Sequence, residues 1–212
     1  MKISATFIVL FFLSISCHAQ INRDTIKTEG YFAGTRATFE TGINSPVGNL
    51  NKLLKPNLLF GFSIDIPTQK TRTLVGLNAT VFLTEKSNPF YYKLKDSLIN
   101  TKIIKTGFTG GIHFTFRSYL GEKYVFDKII GAGWTMLSTD IAKINPNDKN
   151  DKYYSLNAMT FNAGVSCKRA LSKNTRLGLR IIYNLTPYSL FNKEIPTLFG
   201  MHSLSTSLGI TF

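Results

Sequence analysis

Eight segments of this chain between Tyr31 and Phe212 alternate apolar side chains with small or charged ones, residue by residue. A repeat of two places alternate residues on opposite faces of an extended strand, and no helix presents one face at that spacing. The clearest segment, Ile104 to Ser118, sets Phe108, Ile112, Phe114 and Phe116 against Lys105, Gly107, Thr109, Gly111, His113, Thr115 and Arg117. The last segment, Met201 to Phe212, sets Leu204, Thr206, Leu208, Ile210 and Phe212 against Ser205, Ser207, Gly209 and Thr211. Tyr31–Thr41, Asn57–Ile66, Arg72–Thr84, Tyr124–Ser138, Tyr154–Lys168 and Thr175–Thr186 complete the set.

Alternation alone fits a soluble barrel with apolar side chains inward as well as a membrane barrel with apolar side chains outward. The second face separates them. It is built from Gly, Ser, Thr and Asn with scattered charges, and Gly34, Gly61, Gly76, Gly107, Gly111, Gly131, Gly133, Gly164, Gly178 and Gly209 fall on it. Glycine weakens a strand, so a solvated face has no use for so many. A narrow interior that must house long ionic side chains does. The expected fold is therefore all-β: an eight-stranded antiparallel up-and-down transmembrane β-barrel with apolar side chains facing lipid.

Connection lengths agree with that expectation. Long segments (42–56, 85–103, 139–153 and 187–200) follow the first, third, fifth and seventh strands, and short turns follow the second, fourth and sixth. Small outer-membrane barrels pair long extracellular loops with short periplasmic turns, which would put both ends of the strand series on the periplasmic side.

The N-terminal residues read as a secretory signal over 1–19: Lys2, an apolar run from Ile3 to Ile15, then Ser16-Cys17-His18-Ala19 before the cut. Cleavage is expected after Ala19; the rival is a lipoprotein signal with Cys17 lipidated. Residues 20–30 form a polar periplasmic lead and 31–212 the barrel. Beyond the N-terminal run, no apolar stretch is long enough for a spanning helix. Of the two cysteines, Cys167 is alone once the signal is removed, so no intrachain disulfide is expected. A net charge of +13 invites a nucleic-acid reading. No motif supports it, and an export signal opposes it. Anionic lipopolysaccharide and phospholipid headgroups of the outer membrane are the natural counterparts.

The inward face would carry Arg36, Glu40, Asp65, Arg72, Lys105, His113, Arg117, Lys168, Arg176 and Arg180. Eight strands leave room for side chains and little else, so the expectation is a filled interior in which Glu40 and Asp65 pair with Arg and Lys, without an open pore. Positive charge is in excess there, and waters near the mouths or a phosphate would relieve it. His113 reads as a packed interior residue in preference to a catalytic one. His202 and Ser203 are neighbours and point to opposite faces, and Ser205 is not on the His202 face. No nucleophile elbow, zinc-helix motif or carboxylate pair appears, so no catalytic residue, cofactor or metal is expected. Trp134, Tyr31, Tyr119, Tyr124, Tyr183, Tyr188 and Phe212 are candidates for interfacial aromatic belts. Phe90, Tyr91, Tyr92 and Lys93, in the second long loop, are candidates for contact with a partner or for folding back on the rim.

The signal, the eight alternating strands and the terminal Leu208-Gly209-Ile210-Thr211-Phe212 resemble the small outer-membrane barrels of the OmpX and OmpA membrane-domain type. The Ala19-Gln20 junction and the richness in Phe, Tyr, Lys and Asn look like the versions found in Bacteroidota, some of them PorT-like. The resemblance implies an outer membrane location and a terminal aromatic, matched by Phe212, that is read by the barrel-assembly machinery. It also implies a structural or interaction protein that displays loops outward. An enzyme acting on lipid A or phospholipid, or a subunit of a secretion or transport assembly, is the alternative.

Overall fold

The structure is a computed structural model describing residues 34–212 except 69–71, 85–87, 95–96, 102, 121–122, 140–154, 173, 193–194 and 196–200. The expected signal, the lead and the Tyr31–Ala33 start of the first strand lie outside the described residues.

Among the described residues, ten strands and two short helices follow one another: β1 (Arg36–Val47), α1 (Leu50–Leu53), β2 (Asn57–Pro67), β3 (Thr73–Thr84), β4 (Phe90–Leu94), β5 (Ser97–Thr101), β6 (Ile103–Leu120), β7 (Tyr124–Thr139), β8 (Ser155–Ala170), β9 (Arg176–Leu185), α2 (Tyr188–Phe191) and β10 (His202–Thr211). Eight of the strands form a closed antiparallel barrel in the order β1-β10-β9-β8-β7-β6-β3-β2. Closure joins the first and last strands through ten register pairs, from Thr38–Thr211 to Val47–His202. Ala37 and Phe212 exchange two backbone hydrogen bonds at the seam. No strand edge is left to the outside along the seam.

Orientation follows the alternation. Leu77, Leu208, Phe39 and Ile112 are 59, 58, 57 and 52% exposed on the outer wall, while Asp127 and His113 inside are 0 and 2% exposed. Phe60, Phe108, Phe114, Trp134, Phe161 and Leu179 extend the outer apolar surface around the cylinder. Several inward glycines sit where nothing larger fits: a Cβ on Gly131 would lie 2.7 Å from Asn162 Oδ1 and 2.9 Å from His113 Cβ.

Three of the long connections hold more regular structure among their described residues than the sequence suggests. β1 runs on to Val47, into the expected 42–56 loop, and α1 follows. Pro46 is tolerated because the β1–β2 ladder already ends at Asn44–Asn57, leaving Pro46 paired only with Ser203 of β10. The expected 85–103 loop contains the β4–β5 hairpin, paired from Phe90–Thr101 to Leu94–Ser97. α2 lies in the last long connection. Helices of four residues carry no readable periodicity, and so escape a search based on alternation.

Candidate functional site

The interior is layered along the barrel axis. Nearest the long loops it is apolar, where a filled polar interior was expected. Phe82, Leu137, Leu156 and Ala158 from the wall meet Leu50 and Leu54 from the α1 segment, Phe90 from β4, and Tyr188 and Ile195 from the last connection. Loop residues folded into the mouth supply the apolar partners, which is why inward positions at that end are large. Tyr188 is thus a correction: it is buried at 4% exposure and belongs to this cap, not to an interfacial belt. Burial pushes its phenol pKa up, because the phenolate has no water to stabilise it.

A layer of hydroxyls and amides comes next. Thr109, Thr135, Thr160 and Thr186 form a chain of hydroxyl contacts across β6, β7, β8 and the end of β9. Ser205 donates to Asn44 Oδ1 at 3.0 Å and Asn184 donates to Ser205 Oγ at 3.0 Å. A cavity of about 60 Å³ lies in this layer, lined by Asn78, Asn162 and Asn184 among others. It has room for several waters at ~10–15 Å³ each.

Charges occupy the half nearer the short turns. Glu40 accepts from Arg180 Nη1 at 3.1 Å and from Ser207 Oγ at 2.7 Å. His113 Nε2 lies 2.7 Å from Asp65 Oδ1. Arg117 grips Asp127 with two bonds, Nε to Oδ1 at 2.8 Å and Nη2 to Oδ2 at 3.0 Å, and Lys168 Nζ reaches the same Oδ2 at 3.2 Å. A smaller cavity of about 20 Å³ separates these groups. Asp127, completely buried between two cations, is the carboxylate that the reading of the sequence missed. Its signal was available, since Asp127 shares parity with Ile129, Gly131 and Thr135 of the inward face.

Other candidate residues sort by location. Arg36 and Arg176 are half-buried at the short-turn mouth, and no carboxylate among the described residues lies within ion-pair distance of either. Arg72 precedes β3, and its carbonyl accepts from Arg117 N at 2.7 Å. Lys105 stands opposite Thr84 at the other end of the barrel, with its backbone alone described. Among inward strand side chains that are described, five cations (Arg36, Arg117, Lys168, Arg176, Arg180) face three carboxylates (Glu40, Asp65, Asp127).

On the outer wall, Trp134, Tyr124, Tyr183 and Phe212 are exposed. Tyr119 is a second correction, since it shares the inward parity of Arg117, stands opposite the buried Val125 and lies at the short-turn mouth near Arg36 and Arg176. Tyr31 lies outside the described residues. His202 Nδ1 meets the Tyr183 hydroxyl on the outer wall, while Ser203 contacts Asn184 within the barrel. In the hairpin, Phe90 is buried in the cap and Tyr91 is 61% exposed, whereas Tyr92 and Lys93 are placed in β4 by their backbone alone.

One stretch of wall is finished by a side chain. β9 pairs with β8 only as far as Leu185–Phe161, so among the described residues no strand pairs with Ser155–Thr160 of β8 on that side. Asn192, just past α2, fills in: its Oδ1 accepts from Asn157 N at 3.3 Å and its Nδ2 donates to Asn157 O at 2.8 Å. The side-chain amide thus pairs as a neighbouring peptide would.

No protein-family model matches the sequence, and no curated protein matches it. Solved structures do. Neisserial surface protein A superposes with a TM-score of 0.58 at 10% identity, over 84% of this chain and 96% of that one. A major outer membrane protein from Thermus thermophilus gives 0.49 at 12% identity, over 84% and 99%. The attachment invasion locus protein Ail of Yersinia pestis, in complex with the heparin analogue sucrose octasulfate, gives 0.48 at 12% identity, over 84% and 96%. At such identities the likeness to the first is one of fold, the closed eight-stranded antiparallel barrel.

Proposed function

We propose that this chain is an outer-membrane β-barrel protein that acts by presenting its long-loop end, and that its interior is structural filling and not a conduit. The observation that carries this reading is the pairing of an exposed apolar outer wall with an interior occupied from the apolar cap to the Asp127 cluster. Burial of ions inside a wall this greasy suits a molecule surrounded by lipid, since water outside would leave large apolar side chains exposed at a cost of ~25 cal/mol per Å². The residues 1–19 act as an export signal, and Phe212 serves the barrel-assembly machinery. Lipopolysaccharide and phospholipid are the surrounding partners. The Bacteroidota PorT-like subtype rests on the Ala19-Gln20 junction and composition. Tyr91, exposed on a hairpin whose neighbour Phe90 is anchored in the cap, is the feature best suited to contact at the cell surface.

An epitope inserted after Leu94, at the tip of the β4–β5 hairpin, tests the reading. Intact cells should bind the antibody, and the membrane-extracted protein should run faster on SDS gels before boiling than after. Proteoliposomes should stay impermeable to small sugars. Labelling only after the outer membrane is disrupted, or sugar-dependent swelling, would refute the proposal.

A further inference from the structure

Charges within the barrel pair in sequence toward the short turns until the last layer, where Arg36 and Arg176 are left over. By register Arg36 stands opposite Asp65, but Asp65 Oδ1 is held by His113 and no Arg36–Asp65 ion pair forms. Arg176 stands opposite Thr211, a neutral residue. Its Nη1 is shielded from solvent and has no hydrogen-bond partner. Both guanidinium groups lie within electrostatic range of each other and of Arg117, whose own carboxylate, Asp127, is already shared with Lys168. Between them the wall is floored by the buried Thr38 and Thr211 hydroxyls, 2.9 Å apart. One hydroxyl hydrogen serves that contact, which leaves the other free to donate. Two guanidinium forks and a buried hydroxyl donor around one half-open mouth make a donor-rich site, with only the Tyr119 hydroxyl and the already shared Asp127 as favourable neighbours of the two arginines, and buried donors require acceptors. Guanidinium forks match tetrahedral oxyanions in geometry as well as charge.

We propose that the short-turn mouth binds one phosphate-type oxyanion between Arg36 and Arg176, over the Thr38–Thr211 pair. The ligand is either a dissolved phosphate or the headgroup of a phospholipid at that rim. The ion neutralises the surplus that the protein's carboxylates leave.

Protein refolded in a maltoside detergent free of phosphorus, at low salt, is titrated with inorganic phosphate and followed by calorimetry and by the phosphorus NMR linewidth. Saturable binding of one phosphate per barrel is expected. Arg36→Gln and Arg176→Gln should each weaken it at least tenfold, and Thr211→Val several-fold. Lys123→Gln, which alters an exposed lysine at the same end, should change it less than twofold. Heat-modifiable gel mobility checks that each variant is folded. Should Arg176→Gln fail that check, Arg176→Lys, which keeps the charge and loses the fork, is expected to bind with intermediate affinity. Repeating the titration in micelles doped with phosphatidylglycerol identifies the source: competition by the lipid assigns the site to a headgroup, and its absence to the free ion. No saturation in the wild type, or equal weakening by Lys123→Gln and the two arginine variants, would overturn the proposal.

Discussion

Asp127 shows how much one side chain can decide inside a barrel this narrow. Its two oxygens hold Arg117 twice and Lys168 once, and water reaches none of it. Removing the charge while keeping the shape, as in Asp127→Asn, leaves two cations in a low-dielectric interior without a counterion. Breaking a buried pair in this way costs about 3–5 kcal/mol. The urea midpoint for unfolding in lipid vesicles should fall accordingly, and a triple variant replacing Asp127, Arg117 and Lys168 with apolar residues should recover much of the loss. Gly76 makes a complementary case. A Cβ there would meet the His113 ring and lie 2.6 Å from Asp65 Oδ1, so Gly76→Ala must push apart a bonded pair at ~1–3 kcal/mol. Gly110 faces the other way, and its nearest obstacle is the exposed Phe108 ring at 3.1 Å, which can swing aside. Gly110→Ala should therefore change the same midpoint by less than about 0.5 kcal/mol.

Strands, because they repeat every two residues, announce both their existence and their faces, and the eight barrel strands of this chain were legible on that ground. Their ends were less so: β1 continues six residues past Thr41, because pairing to β10 holds it after β2 has turned away. What the sequence hid were elements defined by distant partners. The four residues of α2 look like loop until Tyr188 is seen in the cap and Asn192 is seen against β8. Asp127 was legible as an inward residue, but its partners were not: parity gives the face of a residue, while the level at which it meets Arg117 and Lys168 depends on the register of β6, β7 and β8. The Asn192 clasp yields a prediction at this scale. Asn192→Ala deletes both bonds to Asn157 and the one from Nδ2 to Tyr188 O. With ~1 kcal/mol net for a bond of this kind, the Asn157 amide should exchange with deuterium about fivefold faster or more. Exchange at Gly131 and Asn162, deep in the wall, should be unchanged.

For the molecule as a whole, the question is what medium the outer wall meets, and Trp134 is placed to report it. It is the only tryptophan in the chain. It projects from β7 at 45% exposure, against Phe191 with ring centres 5.5 Å apart in an edge-on arrangement. Neighbouring outward residues on its strand are Ile130, Ala132 and Met136, and its register partners are Gly110 and Met159, so its immediate strand neighbours are apolar. A strand of ten residues rises about 33 Å, enough when tilted to cross the roughly 25 Å apolar band of an outer-membrane barrel. Trp134 then lies on the long-loop side of the middle of that band. Lipids brominated along the acyl chain should quench its fluorescence strongly in vesicles, while iodide in the water should not. Leu77→Arg, placing a charge on the most exposed part of the wall of β3, should in the same vesicles cost about 2–4 kcal/mol of folding stability. A water-soluble barrel would give the opposite pair of results, because its outer wall would already be hydrated and an arginine there would cost nothing. Either experiment decides between the two media, since each probes a side chain that the barrel turns away from its own interior.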